Sequence, residues 1–161
     1  MHALLARLPE IAPDHRERIA RTFARGHGLK DDAARALVAE TLAVLDDPQF
    51  AAAFAPGSQA EAGLLVDLPE LGGRINGRID RLAVTPDEVL ILDYKTNRPA
   101  PATEAEVPAV YLRQMALYRA GAAKVFPGRR IVCGLVFTDG PRLLRLSDAA
   151  MDAQLAQIRA S

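Results

Sequence analysis

Three side chains near the middle of the chain have the types and spacing for phosphodiester chemistry. Asp80 lies in Gly77-Arg78-Ile79-Asp80-Arg81, and Asp93 and Lys95 lie in Ile91-Leu92-Asp93-Tyr94-Lys95-Thr96. Residues two apart on a strand project from one face, so Asp93 and Lys95 share a side. The turn Thr85-Pro86-Asp87-Glu88 then positions Asp80. An even-numbered loop centred between Pro86 and Asp87 pairs Val84 with Val89, Ala83 with Leu90 and Leu82 with Ile91, all compatible apolar pairs. The same register sets Asp80 opposite Asp93, with β-carbons about 5 Å apart, where like charges need compensation.

Hard divalent cations such as Mg²⁺ supply that compensation. They take one or two protein carboxylates and keep positions for water and phosphate. The expected chemistry is metal-assisted hydrolysis with Mg²⁺, or Mn²⁺ in its place, in which the Lys95 ammonium orients the nucleophile or stabilises developing charge. An isolated Asp-x-Lys is more often an ordinary ion pair at a strand end. The opposed Asp80 and the apolar strand around Asp93 favour the catalytic reading.

The surrounding elements must hold these groups in place. Up to residue 56 the apolar positions recur at helical spacing, as in Ala34, Leu37, Val38, Thr41, Leu42 and Leu45, and Pro9, Pro13, Gly26, Gly28 and Pro48 divide this segment into short helices. After Pro56-Gly57-Ser58 the pattern turns to strands. Leu64, Val66 and Leu68 alternate, Pro69 to Gly73 forms a turn, and Arg74 to Val84 forms a second strand. Val89 to Tyr94 is apolar on both faces until Asp93, as a strand covered above and below would be. A proline-rich loop spans Asn97 to Pro108, a helix spans Val110 to Val125, and a buried strand spans Arg130 to Thr138. Asp139-Gly140 predicts a hairpin turn into Leu143 to Leu146, and Ser147 caps a last helix ending near Arg159. The expected fold is α/β: a central mixed sheet of about five strands flanked by helices, with an N-terminal helical segment. The expected organisation is one domain over 1–161, with helices over 1–56 and an α/β core over 57–161.

Composition narrows the function. The 161 residues carry 20 basic and 20 acidic side chains and no net charge, so contact with nucleic acid would rest on a local patch. A lone cysteine, Cys133, inside an apolar run, excludes a disulfide framework, a zinc knuckle and a cysteine-ligated iron–sulfur cluster. The opening MHALLARLPEIAP is too short in its apolar stretch for a secretory signal, and no segment approaches membrane-spanning length. These features predict a cytoplasmic protein that does not engage a membrane.

Together Asp80, Asp93-x-Lys95 and the pair Gln114 and Tyr118, four apart on the predicted helix, resemble the PD-(D/E)XK nuclease superfamily in its RecB-like branch. That resemblance implies a restriction-endonuclease-like fold, metal ligation by Asp80 and Asp93, catalysis by Lys95, and DNA or active-site contacts from Gln114 and Tyr118. It also implies that His2, in His2-Ala3-Leu4-Leu5, ligates metal together with the Tyr94 main-chain carbonyl. From the residues alone His2 is a terminal histidine, a position more often disordered than ligating. The opening segment is similar to the nuclease domains of AddA-type helicase-nucleases. This likeness implies a fragment of a larger helicase-nuclease acting on DNA in double-strand-break repair, with single strands fed by the helicase and an AddB-like partner subunit. No GxxxxGK[ST] phosphate loop occurs, so unwinding would reside elsewhere.

Other residues carry two readings each. Glu61 is either a third carboxylate opposite Asp80 or an ion-pair partner of Arg78, depending on the register of the first hairpin. Arg74, Arg78 and Asp80 share a strand face, with Arg81 close by. The arginines form a basic patch for phosphates or balance the neighbouring acids. Tyr111, Gln114 and Tyr118 make a semi-polar helix stripe that would also suit a plain amphipathic edge. His15 and His27 are expected to be solvated. Rival readings are a catalytically silent DNA-binding scaffold, a stand-alone RecB-like exonuclease, and a small-molecule metalloenzyme with a narrow closed pocket.

Overall fold

A computed structural model describes residues 1–139 and 142–160. Its central element is β3 (Glu88–Lys95), apolar on both faces and buried through Val89 to Tyr94. Around it a five-stranded sheet runs in the order β1 (Gln59–Leu68), β2 (Gly73–Val84), β3, β4 (Arg130–Phe137) and β5 (Arg142–Arg145). All neighbours are antiparallel except β3 and β4. A parallel pair needs a crossover, and α1 (Ala109–Val125), the helix that follows the proline-rich loop, supplies it. The sheet is therefore mixed, as the sequence predicts.

Each face of the sheet has its own cover. Ile79, Leu82, Val89, Ile91, Cys133, Leu135 and Phe137 face the crossover helix, which contributes Met115, Ala116, Tyr118 and Ala122. The C-terminal helix α2 (Asp148–Arg159) adds Met151 and Leu155 there. Ser147 caps α2 by accepting from the Ala150 N–H, as expected from its type and place. Ala83, Leu90, Leu92, Tyr94, Val132 and Val136 face the opposite side, where Leu5, Val44, Phe50 and Ala53 of the N-terminal segment pack. That segment holds three α-helices, αN1 (His2–Arg7), αN2 (Pro13–Gly26) and αN3 (Asp31–Asp46), and a short 3₁₀ stretch over Pro48–Phe54. Cys133 is buried, and burial pushes its thiol up to about 12, which makes it an inert core group. Gly140 of the expected Asp139-Gly140 turn lies outside the described residues. Among the described residues no helix is long and apolar enough to cross a membrane.

Helix αN1 is short, and its hold on the sheet comes from burial. Leu4 and Leu5 are 2% and 0% exposed, Leu5 against the sheet and Leu4 among the N-terminal helices, and together they anchor αN1. Replacing Leu5 with alanine is expected to cost about 2–5 kcal/mol, because the core around Val44, Phe50 and Tyr94 cannot close over the void. Urea unfolding checks this, and a cost below ~1 kcal/mol would show that αN1 is not anchored as described.

Candidate active site

The register read from the turn is the one observed: Val84 pairs with Val89, Ala83 with Leu90, Leu82 with Ile91 and Arg81 with Leu92. The ladder stops there, one step short of Asp80 and Asp93. At that step the Asp80 carboxylate accepts a hydrogen bond from the Tyr94 main-chain N–H at 2.8 Å. A side chain thus replaces the main-chain acceptor of a continued ladder and ties Asp80 to the strand that carries Asp93.

Asp80 also marks a change of phase in β2. Ile75 and Ile79 face the crossover helix, yet so does Leu82, while Arg81 and Ala83 face the N-terminal segment. Regular alternation cannot put both Ile79 and Leu82 on one side. In β1, Glu61 occupies the matching level, between the Ala60–Arg81 and Ala62–Ile79 pairs, and has φ +53°. Such left-handed backbone is uncommon for a residue with a β-carbon. The two strands thus break step together at Glu61 and Asp80.

This irregularity corrects two expectations. Asp80 does not share a regular strand face with Arg74 and Arg78. Arg81 does not contribute to a basic patch: it is 3% exposed, donates to the Ala53 carbonyl at 2.9 Å and to the Ser58 hydroxyl at 2.6 Å, and lies over the Phe54 ring. Its role is to fasten the 3₁₀ stretch to the sheet. Arg74 and Arg78 are exposed, Arg74 bound to Asp67 at 2.7 Å and Arg78 to Glu61 at 3.4 Å. Glu61 stands level with Asp80 in the first hairpin, and its carboxylate is paired with Arg78.

Asp93 and Lys95 form a buried ion pair of 2.7 Å, their side chains only 6% and 13% exposed. From Lys95 a chain of contacts runs onto the crossover helix. The ammonium donates to Gln114 Oε1 at 3.0 Å and stands 4.1 Å from the centre of the Tyr111 ring. Gln114 Nε2 donates to the Tyr118 hydroxyl at 3.2 Å, and that hydroxyl donates to the Arg78 carbonyl at 3.0 Å. The donor sequence fixes the Gln114 amide. Tyr118 spends its one proton on Arg78, so it must accept from the amide nitrogen, leaving the amide oxygen for Lys95. Gly77 makes this possible, because a β-carbon there would come within 2.5 Å of the Tyr118 ring. Tyr111 donates in turn to Asn97 at 3.1 Å. The semi-polar stripe of Tyr111, Gln114 and Tyr118 is thus a scaffold for the lysine, and Asn97, which carries no signal in the sequence, joins it through Tyr111.

Tyr118→Phe is expected to slow cleavage about tenfold and to cost about 0.5–1.5 kcal/mol of stability, since it removes one link from a hydrogen-bonded chain. A rate equal to that of the native chain would show that Gln114 holds Lys95 without it.

His2 lies at the same end of the sheet. Its ring is 5.6 Å from that of Tyr94, and a positive charge there favours the ionised form of Asp80. Burial nevertheless holds the Asp80 carboxyl above its usual range. Asp93 and Glu61 push in the same direction, while the Tyr94 N–H and His2 oppose them. The Tyr94 side chain projects away from Asp93 and Lys95, and its buried hydroxyl has no hydrogen-bond partner among the described residues. Among the described residues no group of three or more His, Cys, Asp or Glu is already gathered as a metal cage. The hard oxygens of Asp80 and Asp93, held close in like charge, suit a divalent cation that takes two carboxylates and completes its shell with water and phosphate. His15 and His27 stand apart, His15 beside Asp14 and His27 stacked on Phe23.

Sequence and fold comparisons agree with this geometry. The profile of the PD-(D/E)XK nuclease superfamily matches residues 1–159. The chain belongs to that superfamily, whose nucleases generally depend on divalent metals. The sheet and its flanking helices are the restriction-endonuclease-like arrangement. The crystal structure of a candidate exonuclease from Eubacterium rectale is similar in fold, with a TM-score of 0.60 at 13% identity, over 98% of this chain and 64% of that one. This chain thus spans less than two thirds of that protein. The crystal structure of SSO0001 aligns over 99% of this chain and 73% of that one at 16% identity, with a TM-score of 0.37. Comparison with curated proteins returns no match.

Proposed function

We propose that the chain is a Mg²⁺-dependent deoxyribonuclease domain that hydrolyses DNA phosphodiester bonds. The observation that carries this reading is the convergence of Asp80, Asp93 and Lys95, with Lys95 held by Gln114, in a chain of the PD-(D/E)XK superfamily. Asp80 and Asp93 would hold the cation, with His2 and the Tyr94 carbonyl beside them. When bound, the cation would polarise the scissile phosphate and lower the pKa of a water. The residues supply the remainder. The Lys95 ammonium, fixed between Asp93, Gln114 and the Tyr111 ring, would donate to a phosphate oxygen or to the attacking water. Burial of the Asp93–Lys95 pair keeps bulk water from weakening that interaction. Hydrolysis joins the water oxygen to phosphorus and breaks one phosphorus–sugar oxygen bond, and the departing oxygen gains a proton.

An open cleft beside Gln114 and Tyr118 favours an extended substrate over the small molecule that a narrow closed pocket would select. On the resemblance of its opening segment and motifs, the domain would act as an exonuclease within an AddA-type helicase-nuclease in the cytoplasm. It would work with an AddB-like partner in double-strand-break repair, cutting single strands delivered by the helicase. Incubating end-labelled single- and double-stranded DNA with Mg²⁺ or Mn²⁺ tests the reading. Cleavage by the native chain that is lost in Asp93→Ala supports it, and equal cleavage by both overturns it.

A further inference from the structure

A cleft of about 440 Å³ runs between the turn joining β1 to β2 and the outer side of the crossover helix. One wall carries Arg74, Ile75 and Asn76, and the other carries Val110, Arg113 and Leu117. Gln114 and Tyr118 form its inner end, so the cleft begins one side chain from the Lys95 ammonium.

Two properties identify an occupant. The cleft is locally basic in a chain without net charge: among the described residues it is lined by two arginines and by no acidic side chain. Arg74 is tied to Asp67, whereas the exposed Arg113 guanidinium has no ion pair or hydrogen bond among the described residues. A free guanidinium beside a phosphodiester-cleaving centre suits a backbone phosphate. The second property is apolar. Val110 is 65% exposed, and it shares the cleft with Ile75 and Leu117. Apolar walls are useful to bases whose faces are free, and stacking in a duplex hides those faces.

We propose that this cleft binds an unpaired stretch of DNA strand flanking the scissile phosphate, with Arg113 on a backbone phosphate and bases against Val110 and Leu117. The assignment rests on the nuclease reading and adds to it the path that the unpaired strand follows and the residues that hold it.

Fluorescence anisotropy of labelled oligothymidylate, with Ca²⁺ in place of Mg²⁺, tests it in Arg113→Glu and Val110→Glu. Both positions are exposed, so neither change opens a core void. Arg18→Glu, on an exposed site of αN2 across the sheet, makes the same charge change as Arg113→Glu. Affinity is expected to fall about tenfold in Arg113→Glu and severalfold in Val110→Glu, but not in Arg18→Glu. The salt dependence in Arg113→Glu should become shallower by about 0.7, as for one lost phosphate contact. Affinity unchanged in both cleft variants, a loss equal to that in Arg18→Glu, or a preference for duplex overturns the proposal. Those results combined with Asp93-dependent cleavage would leave the nuclease reading standing. The expected binding losses without any cleavage would retain the cleft and remove the nuclease reading.

Discussion

Lys95→Met is expected to lower DNA cleavage by on the order of 10²–10³-fold, the loss that follows when a positioned charge-stabilising donor is removed. The same substitution should make Mn²⁺ bind severalfold more tightly. In the protein without metal, the Lys95 ammonium sits 2.7 Å from the Asp93 carboxylate and compensates its charge. Removing it leaves Asp93 buried without its cation, a situation that costs ~3–5 kcal/mol when one partner of a buried pair is lost. A divalent cation would then gain more by binding. Thermal unfolding in chelator and in Mn²⁺ separates the effects: the variant should be less stable than the native chain in chelator and should gain more on adding Mn²⁺. Full cleavage activity in Lys95→Met would remove the lysine from the chemistry, and unchanged Mn²⁺ affinity would remove its competition with the cation.

Asp80→Asn should separate stability from activity in the other direction. Burial, with Asp93 and Glu61, holds the Asp80 carboxyl above its usual range, so the folded chain binds that proton more firmly than the unfolded chain. Stability from this group is therefore full at pH below the unfolded value and declines as pH rises from there through the folded value. At neutral pH the ionised carboxylate is a cost. Asparagine removes the charge and can still accept the Tyr94 N–H. In chelator at neutral pH the variant should melt higher, at about 2–4 °C per kcal/mol gained for a chain of this size. The advantage should shrink as pH falls toward ~4. Cleavage should drop by on the order of 10²-fold or more, since one of two cation-holding carboxylates is gone. A lower melting point in chelator would mean that the carboxylate is stabilising where it lies.

Much of this arrangement is legible in the sequence because short-range rules govern it. The turn at Pro86-Asp87 sets one register, and that register carries Asp80 to the level of Asp93. The spacing of Gln114 and Tyr118 places both on one side of a helix. The break of phase at Glu61 and Asp80 is not legible, since nothing in the sequence marks a non-glycine residue for left-handed backbone. That break sends Arg81 into the core against the Phe54 ring, where parity along a regular strand would have left it beside the site. The anchorage of αN1, the helix that carries His2, is equally hidden. It depends on Leu5 meeting the far face of the sheet and on Leu4 packing among the N-terminal helices, tertiary contacts that an isolated six-residue helix does not disclose. The ion pair of Asp93 with Lys95 follows from their shared face, but its burial depends on the crossover helix lying over it.

In the proposed nuclease, Asp80 and Asp93 jointly hold a divalent cation whose occupancy drives strand cleavage. The most direct test titrates Mn²⁺ into the protein with end-labelled single-stranded DNA, reading free Mn²⁺ by electron paramagnetic resonance and cleavage in the same samples. The expected result is a rate that rises in proportion to bound Mn²⁺ in the native chain, with both binding and cleavage lost in Asp93→Asn. Cleavage that persists in chelator, or that survives in Asp93→Asn at native rates, would contradict it.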